Sequence, residues 1–363
     1  MSLPRGSDTA RRTERRQAKQ LKKPTSLDVA RLVGVSQSAV SRAFTEGGRV
    51  SKKTRERILK AAKEIGYVPN LHASSLITRR TGMIALIMGD ITNPFYPEVL
   101  ETFARRLQSA GKRVMLLRLS RDEPIDWALP HVLQYQVDGI IIATAMPGQS
   151  VRELCARAHA PVVLFNRAVS GVPVDAVCCD NSAGGRIVAD ILLDSGHKRF
   201  GFIAGLEGAS TSGERERGFF ERVLSRTGEI PSKAHGDFTY EGGKRAALTL
   251  FVPSRRPDAL FVANDIMALG ALDALRIQLG LRVPDDVSLV GFDDIAAAAW
   301  PTYGLTTFRQ PIDRMVEETL RLLGERISNP NREPATVLVP GRLIPRASAR
   351  LTSLVQASIE PVV

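Results

Sequence analysis

The chain has 363 residues, 44% hydrophobic and only 6% aromatic, which leaves room for two or three domains with sizeable cores but offers no aromatic platform for carbohydrate or single-stranded nucleic acid. Its net charge of +12 is segregated: residues 1–80 hold 19 Lys/Arg against 6 Asp/Glu, and the remainder holds 31 against 32, so a basic polyanion reader precedes an almost neutral body. Three cysteines (Cys155, Cys178, Cys179), a charged N-terminus and no apolar run of the about 18 residues a membrane span needs exclude a disulfide framework, a secretory signal and a membrane partner, and point to a reducing, cytoplasmic setting.

Residues 1–24 are rich in Arg and Lys and almost free of apolar side chains. They read as a disordered basic arm that either holds a phosphate backbone or is a solvated tail. From Thr25 to Pro69 the period is helical and the pieces are short. Thr25-Ser26 can cap a helix carrying Leu27, Val29, Ala30 and Val33, which Gly34 breaks. Ser36 can cap a second helix, with Ala39, Val40, Ala43 and Phe44 inward. Ser51 caps a third, Lys52 to Ile65, with its stripe at Ile58, Ala61, Ala62 and Ile65. Gly66 and Pro69 end it. Three short helices with a glycine turn between the first two make a helix-turn-helix, residues 25–69. Residues 70–80 form a helical segment too short to stand alone, a linker that orders on a partner.

After residue 81 strand-length apolar runs recur at Met83–Met88, Val114–Leu119, Gly139–Ala143, Val162–Phe165, Phe200–Ala204, Ala259–Ala263 and Val287–Gly291. Each adjacent pair is separated by a stretch of helical length, which implies βαβ units and parallel, doubly covered sheets. The length suggests two lobes.

The stretch Asp28-Val-Ala-Arg-Leu-Val-Gly-Val-Ser-Gln-Ser-Ala-Val-Ser-Arg42 resembles the DNA-binding domain of the lactose/galactose repressor family of bacterial transcriptional regulators. The likeness continues through Val50–Arg57 and Gly66-Tyr-Val-Pro-Asn70, and extends to about residue 346. The fold class it implies is α/β: an N-terminal three-helix helix-turn-helix domain plus a two-lobed, parallel-sheet core like a periplasmic binding protein. The expected core is 81–346, with lobe 1 at 81–179 and 311–344, lobe 2 at 180–310, and a tail at 347–363.

A recognition helix offers its outward N-terminal side chains to base edges, here Ser36, Gln37, Ser38, Ser41 and Arg42. By resemblance Gln37 and Ser38 choose the operator half-site. Val40 and Ala39 suit the core better. Lys52, Lys53, Arg55 and Thr25 are placed to meet phosphates, unless the lysines are simply solvated. The resemblance makes residues 70–77 a hinge helix that enters the minor groove, with Asn70 and Ala73 along it and Leu76 as the apolar wedge.

The core resembles periplasmic sugar-binding proteins as well as the repressor cores, and landmarks at matching positions stand at or just past strand ends, where open α/β sheets bind ligands. They are Asp90–Tyr96, Asn166-Arg167, Arg215–Phe219 after Gly205, Ala263–Gly270 and Gly291–Asp294, while Thr306–Gln310 leads back to the first lobe. The chemistry is that of polyol recognition: Asp293 accepts from hydroxyls, and Asn264 and Asn93 donate and accept. Arg167 and Arg215 fork onto hydroxyls or a carboxylate, and Phe95 and Tyr96 offer an apolar face. Asn264 and Asp265 could instead cap a helix, Asp294 could be structural, Arg215 could lie on the surface, and Trp300 could be cleft wall or core. Two arginines against one carboxylate lean toward an acidic sugar or sugar phosphate.

Gly242-Gly-Lys-Arg245 is no P-loop, since Phe238 stands where glycine is needed and Arg245 replaces Ser/Thr. Nothing assembles a catalytic or metal-ligand constellation, so neither an enzyme nor a cofactor is expected. The sequence reads as a dimeric, effector-controlled repressor of a pseudo-palindromic operator. The alternative is a sugar-binding protein or enzyme on the same body. By the same resemblance a tetramer calls for a C-terminal leucine heptad segment, which the short tail after Pro345 does not show, so a dimer is expected rather than a tetramer.

Overall fold

The computed structural model describes residues 23–44, 47–68, 81–89, 91–119, 123, 125–144, 148–169, 171–252 and 256–352. The basic arm up to residue 22, the hinge positions Asn70, Ala73 and Leu76, Asp90 and residues 353–363 lie outside them. The chain divides into two units, Met1–Thr81 and Gly82–Val363.

The first unit is built from α1 (Ser26–Val33), α2 (Gln37–Phe44) and α3 (Lys52–Ile65). Thr25 starts α1 with a reciprocal cap. Its backbone N–H donates to Asp28 Oδ2 at 2.9 Å, and the Asp28 N–H donates to Thr25 Oγ1 at 3.4 Å. Gly34, at φ +71°, supplies the left-handed turn into α2. Ser51 caps α3 and Gly66 ends it. Val29, Ala30, Val33, Val40, Ala43, Ile58 and Ala62 form the buried core, with Phe44 and Tyr67 edge-to-face at its rim. Arg57 donates to the Val33 carbonyl at 2.8 Å, which satisfies one of the orphan acceptors at the end of α1.

In the second unit, β1 (Met83–Met88), α4 (Phe95–Ser109), β2 (Arg113–Arg118), α5 (Ile125–Gln134), β3 (Gly139–Ala143), α6 (Gly148–Arg157), β4 (Val162–Phe165) and β5 (Asp175–Cys179) build one lobe. The chain then crosses over. α7 (Asn181–Asp194), β6 (Phe200–Ala204), α8 (Ser210–Thr227), β7 (Ser232–His235), α9 (Tyr240–Leu250), β8 (Ala259–Val262), α10 (Asp265–Asp273), β9 (Ser288–Asp293) and β10 (Thr306–Arg309) build the other. It returns for α11 (Ile312–Ser328) and β11 (Thr336–Val339), and crosses a third time into β12 (Arg342–Ile344).

The sheet orders are β11-β5-β4-β3-β1-β2 and β12-β10-β9-β8-β6-β7. All pairings are parallel except β12 on β10. The central strands β1, β3, β4, β6, β8 and β9 are apolar and buried on both faces, as helices on both sides of a sheet require. Helices α7 and α8 approach so closely that a Cβ on Gly185 would sit 2.3 Å from the Arg215 carbonyl oxygen, and one on Gly218 would sit 2.1 Å from that of Ser182. These two glycines let the start of α8, which carries Arg215, lie tight against the second lobe.

The structure corrects several expectations. Residues 342–344, assigned to lobe 1, belong to the second sheet, because β12 bonds to β10 rather than continuing from β11. The core also runs past residue 346. Ser348 Oγ accepts from the Thr306 N–H at 2.8 Å and donates to the Leu289 carbonyl at 2.6 Å, and Ala349 is buried. Gly291 and Phe292 lie inside β9, not after it, and Asp293 is its last residue. Trp300 is neither core nor cleft wall: it is 58% exposed in the loop after the 3-10 turn Ala296–Ala299. Strands β5, β7, β10, β11 and β12 add to the runs read from sequence. All three cysteines are free thiols, and burial pushes Cys178 and Cys179 up to about 12.

Candidate functional site

On the first unit, Ser36, Gln37, Ser38, Ser41 and Arg42 are all exposed, while Val40 is buried and Ala39 half-buried. Ser36 Oγ accepts from the Ala39 N–H at 3.2 Å and lies 2.9 Å from Ser38 Oγ. Arg42 Nε donates to the Ser38 carbonyl at 3.1 Å. Gln37 Nε2 donates to Ser26 Oγ at 2.9 Å, a link between the first residues of α2 and α1. Lys52 is exposed at the first turn of α3. The exposed side chain of Thr25 is engaged in its helix cap.

On the second unit, a cleft of about 630 Å³ opens between the lobes. Asn93, Phe95, Tyr96, Arg167, Arg215, Asn264 and Asp293 all line it. Asn93, Phe95 and Tyr96 come from the turn after β1 and the first turn of α4, and Arg167 follows β4. Arg215 comes from α8, Asn264 from the β8–α10 junction and Asp293 from the end of β9. Residues far apart in sequence meet because each sits at the carboxyl end of a parallel strand or beside one.

Arg215 is 2% exposed. Its Nε donates to Asn181 Oδ1 at 2.8 Å, its Nη1 donates to the Ala263 carbonyl, and the guanidinium lies 3.6 Å from the centre of the Phe292 ring. Asp293 Oδ1 stands 3.7 Å from Arg215 Nη1 and accepts from Gln310 Nε2 at 2.7 Å. The surface position considered for Arg215 is therefore excluded. Burial raises Asp293 above the ordinary carboxylate range, and Arg215 offsets part of that rise. Asp293 has φ +126° and Asp294 φ +63°, a strained pair of non-glycine residues. Asp294 accepts from Arg309 and from Arg346 at 2.7 Å, so it is structural.

Asp265 lies directly behind this wall, fully buried. It accepts from the Thr307 hydroxyl at 2.6 Å and the Ile295 N–H at 2.9 Å, and burial, then the nearby Asp293, raise it. Asn264 does cap α10: its Oδ1 accepts from the Met267 N–H at 3.2 Å. The cap leaves its Nδ2 without a hydrogen-bond partner. Among the described residues, Asn264 Nδ2 from the second lobe and Asn166 Oδ1 from the first are buried without a hydrogen-bond partner. One is a donor and the other an acceptor, and both residues line the same cleft.

The sequence reading missed Thr144, Glu207, Asp237, Phe238 and Arg118 as lining residues. The signal for Phe238 was glycine at strand ends. Its ring fills space beside Gly205, where a Cβ would lie 2.2 Å from the ring. Phe238 and Asp237 both sit at positive φ in the loop before α9. Among the described residues, with Arg118, Glu207 and Asp237 included, three arginines face three carboxylates, so the two-to-one count that favoured an acidic ligand does not hold.

A helix-turn-helix unit joined to a two-lobed α/β core with a polar interlobe cleft defines a class: DNA-binding regulators carrying a small-molecule-binding body. Known families agree. The profile described as "Bacterial regulatory proteins, lacI family" matches residues 25–70, and that described as "Periplasmic binding protein-like domain" matches residues 189–349. The HTH-type transcriptional regulator DegA of Bacillus subtilis (strain 168) is 34% identical over 334 residues, covering 90% of this chain and 98% of that protein. Among solved structures, the transcriptional regulator CelR–cellobiose complex is 32% identical with a TM-score of 0.69, covering 90% of this chain and 100% of that one. The lac repressor dimer bound to operator and the anti-inducer ONPF is 26% identical with a TM-score of 0.82, covering 91% and 100%. The chain belongs to the lacI family of bacterial regulatory proteins and is a transcriptional regulator. The reading as an enzyme or sugar-binding protein falls away.

Removing one member of a buried ion pair strands the other charge, at a cost of about 3–5 kcal/mol. Asp293→Ala is expected to lower unfolding stability by that order in urea titrations. Asp293→Asn, which keeps an acceptor for Gln310, is expected to lose less. Equal losses would show that the Gln310 bond contributes nothing.

Proposed function

We propose that this regulator is a repressor that binds a pseudo-palindromic operator as a homodimer in the cytoplasm and is controlled by a neutral, polyhydroxylated effector in the interlobe cleft. The observation that carries the effector reading is the pair of buried, unpartnered amide atoms, Asn166 Oδ1 and Asn264 Nδ2, one from each lobe. A ligand hydroxyl group satisfies either kind of atom, and buried polar atoms in native proteins are nearly always satisfied. Charge balance in the lining favours a neutral ligand over an anion. Phe95, Tyr96 and Phe238 supply apolar surface, and Asn93, Arg167, Arg215 and Asp293 supply the remaining polar contacts.

Ser36, Gln37, Ser38, Ser41 and Arg42 read base edges from α2, and Lys52 and the N-terminus of α1 at Thr25 hold phosphates. Thr25 contributes its helix terminus more than its side chain, which the cap occupies. Asn70 and Ala73 belong to the hinge and Leu76 is its wedge. An effector that bridges the lobes biases their relative angle, which sets the separation of the two hinges of a dimer.

Selection of the full-length protein on a random double-stranded DNA pool at near-physiological salt is expected to enrich a two-fold-symmetric motif. Binding without enrichment, falling steeply with salt, would leave only counterion-release affinity and refute operator reading. On the enriched motif, Leu76→Ala is expected to weaken binding more than it does on random DNA. Equal weakening on both would remove Leu76 from the wedge role.

A further inference from the structure

Ser26 is the first residue of α1, and the capping of that helix is already supplied by Thr25 and Asp28. Its hydroxyl is spent elsewhere: it accepts the Gln37 side-chain amide at 2.9 Å, across eleven residues of sequence. The contact joins the start of the helix that faces the phosphates to the start of the helix that faces the bases.

We propose that Ser26 is a positioning residue for operator specificity, acting through Gln37 and reading no base itself. The proposal rests on α2 being the recognition helix. A glutamine carries three rotatable side-chain bonds, and an exposed one samples many rotamers that meet different bases equally well. Tethering its amide to Ser26 biases it toward one rotamer before DNA arrives. One amide hydrogen goes to Ser26, while Oε1 and the second hydrogen stay available, the acceptor–donor pair that suits the N6/N7 edge of adenine. The neighbouring readers form a separate cluster, in which Ser36, Ser38 and Arg42 bond to one another and not to Ser26. Loss of the tether therefore blurs one base position and leaves the others sharp.

The test is selection of full-length wild type, Ser26→Ala, Ser26→Thr and Gln37→Ala on the same random double-stranded DNA pool, with the salt dependence of binding to the enriched sequence. Gln37→Ala locates the base pair that Gln37 reads. Ser26→Ala is expected to lower the base preference at that pair alone by about 2- to 10-fold, the range for one exposed hydrogen bond. The rest of the motif and the salt slope stay unchanged. Ser26→Thr, which keeps the hydroxyl, is expected to restore the preference. An unchanged Ser26→Ala motif would overturn the proposal. So would a uniform loss of affinity with a shallower salt slope, which would make Ser26 a phosphate contact. If wild type enriches no motif, the failure lies in the operator reading and the proposal falls with it. If Ser26→Ala does not fold, failure of Ser26→Thr to keep the wild-type motif is the overturning result.

Discussion

The buried pair of Arg215 and Asp293 is the constraint on which the cleft depends. A guanidinium 2% exposed is tolerable only if its charge and its N–H groups are answered. Asp293 answers the charge, Asn181 and the Ala263 carbonyl answer two N–H groups, and the Phe292 ring answers the face. These partners come from α7, the end of β8 and the end of β9, so the pair locks three elements of the second lobe around one point. The close approach of α7 and α8 at Gly185 and Gly218 serves the same end. The strained backbone at Asp293 and Asp294 persists because Asp265, through the Ile295 N–H, and the two arginines on Asp294 hold the chain at Asp294 and Ile295.

The same network reaches the crossings between lobes. Gln310, which donates to Asp293, stands where the chain leaves β10 for α11 in the first lobe. The Asp180 N–H donates to the Val339 carbonyl at 3.0 Å, tying the first crossing to the third. A ligand that touches Asp293 therefore touches a residue bonded directly to a crossing strand. That bond is the physical link on which the proposed effector control rests.

Local signals made the first unit legible. Thr25, Ser51, Gly34 and Gly66 act within one helical turn of where they sit, so helix ends could be read from single residues. The central strands were legible because burial on both faces makes them continuously apolar. The edge strand β7 was not, since only Ala234 is buried in it, between exposed Ser232, Lys233 and His235, and the interior strands β5 and β10 were missed because Asp175, Thr306 and Thr307 shorten their apolar runs. β12 exists through pairing with β10, a contact with no local signature. In the cleft, residues beside strand-end motifs were found, including the family-matched Asn264 and Asp293. Phe238 was missed because its place depends on a positive-φ loop and on room left by Gly205. The roles of Asp294 and Asp265 were undecidable from sequence, since adjacent carboxylates look alike until their partners are known.

The central claim is that a ligand seated between Asn166 and Asn264 controls operator binding. Asn264→Ser tests it, because serine keeps the α10 cap while removing the buried, unpartnered amide donor. Operator affinity would be measured for wild type and Asn264→Ser against a panel of neutral sugars, sugar acids and sugar phosphates. The account predicts that a neutral sugar shifts wild-type operator affinity, and that Asn264→Ser loses the shift while binding the operator normally in its absence. A shift of equal size at equal concentrations in both proteins, or one produced only by the anions, would contradict it.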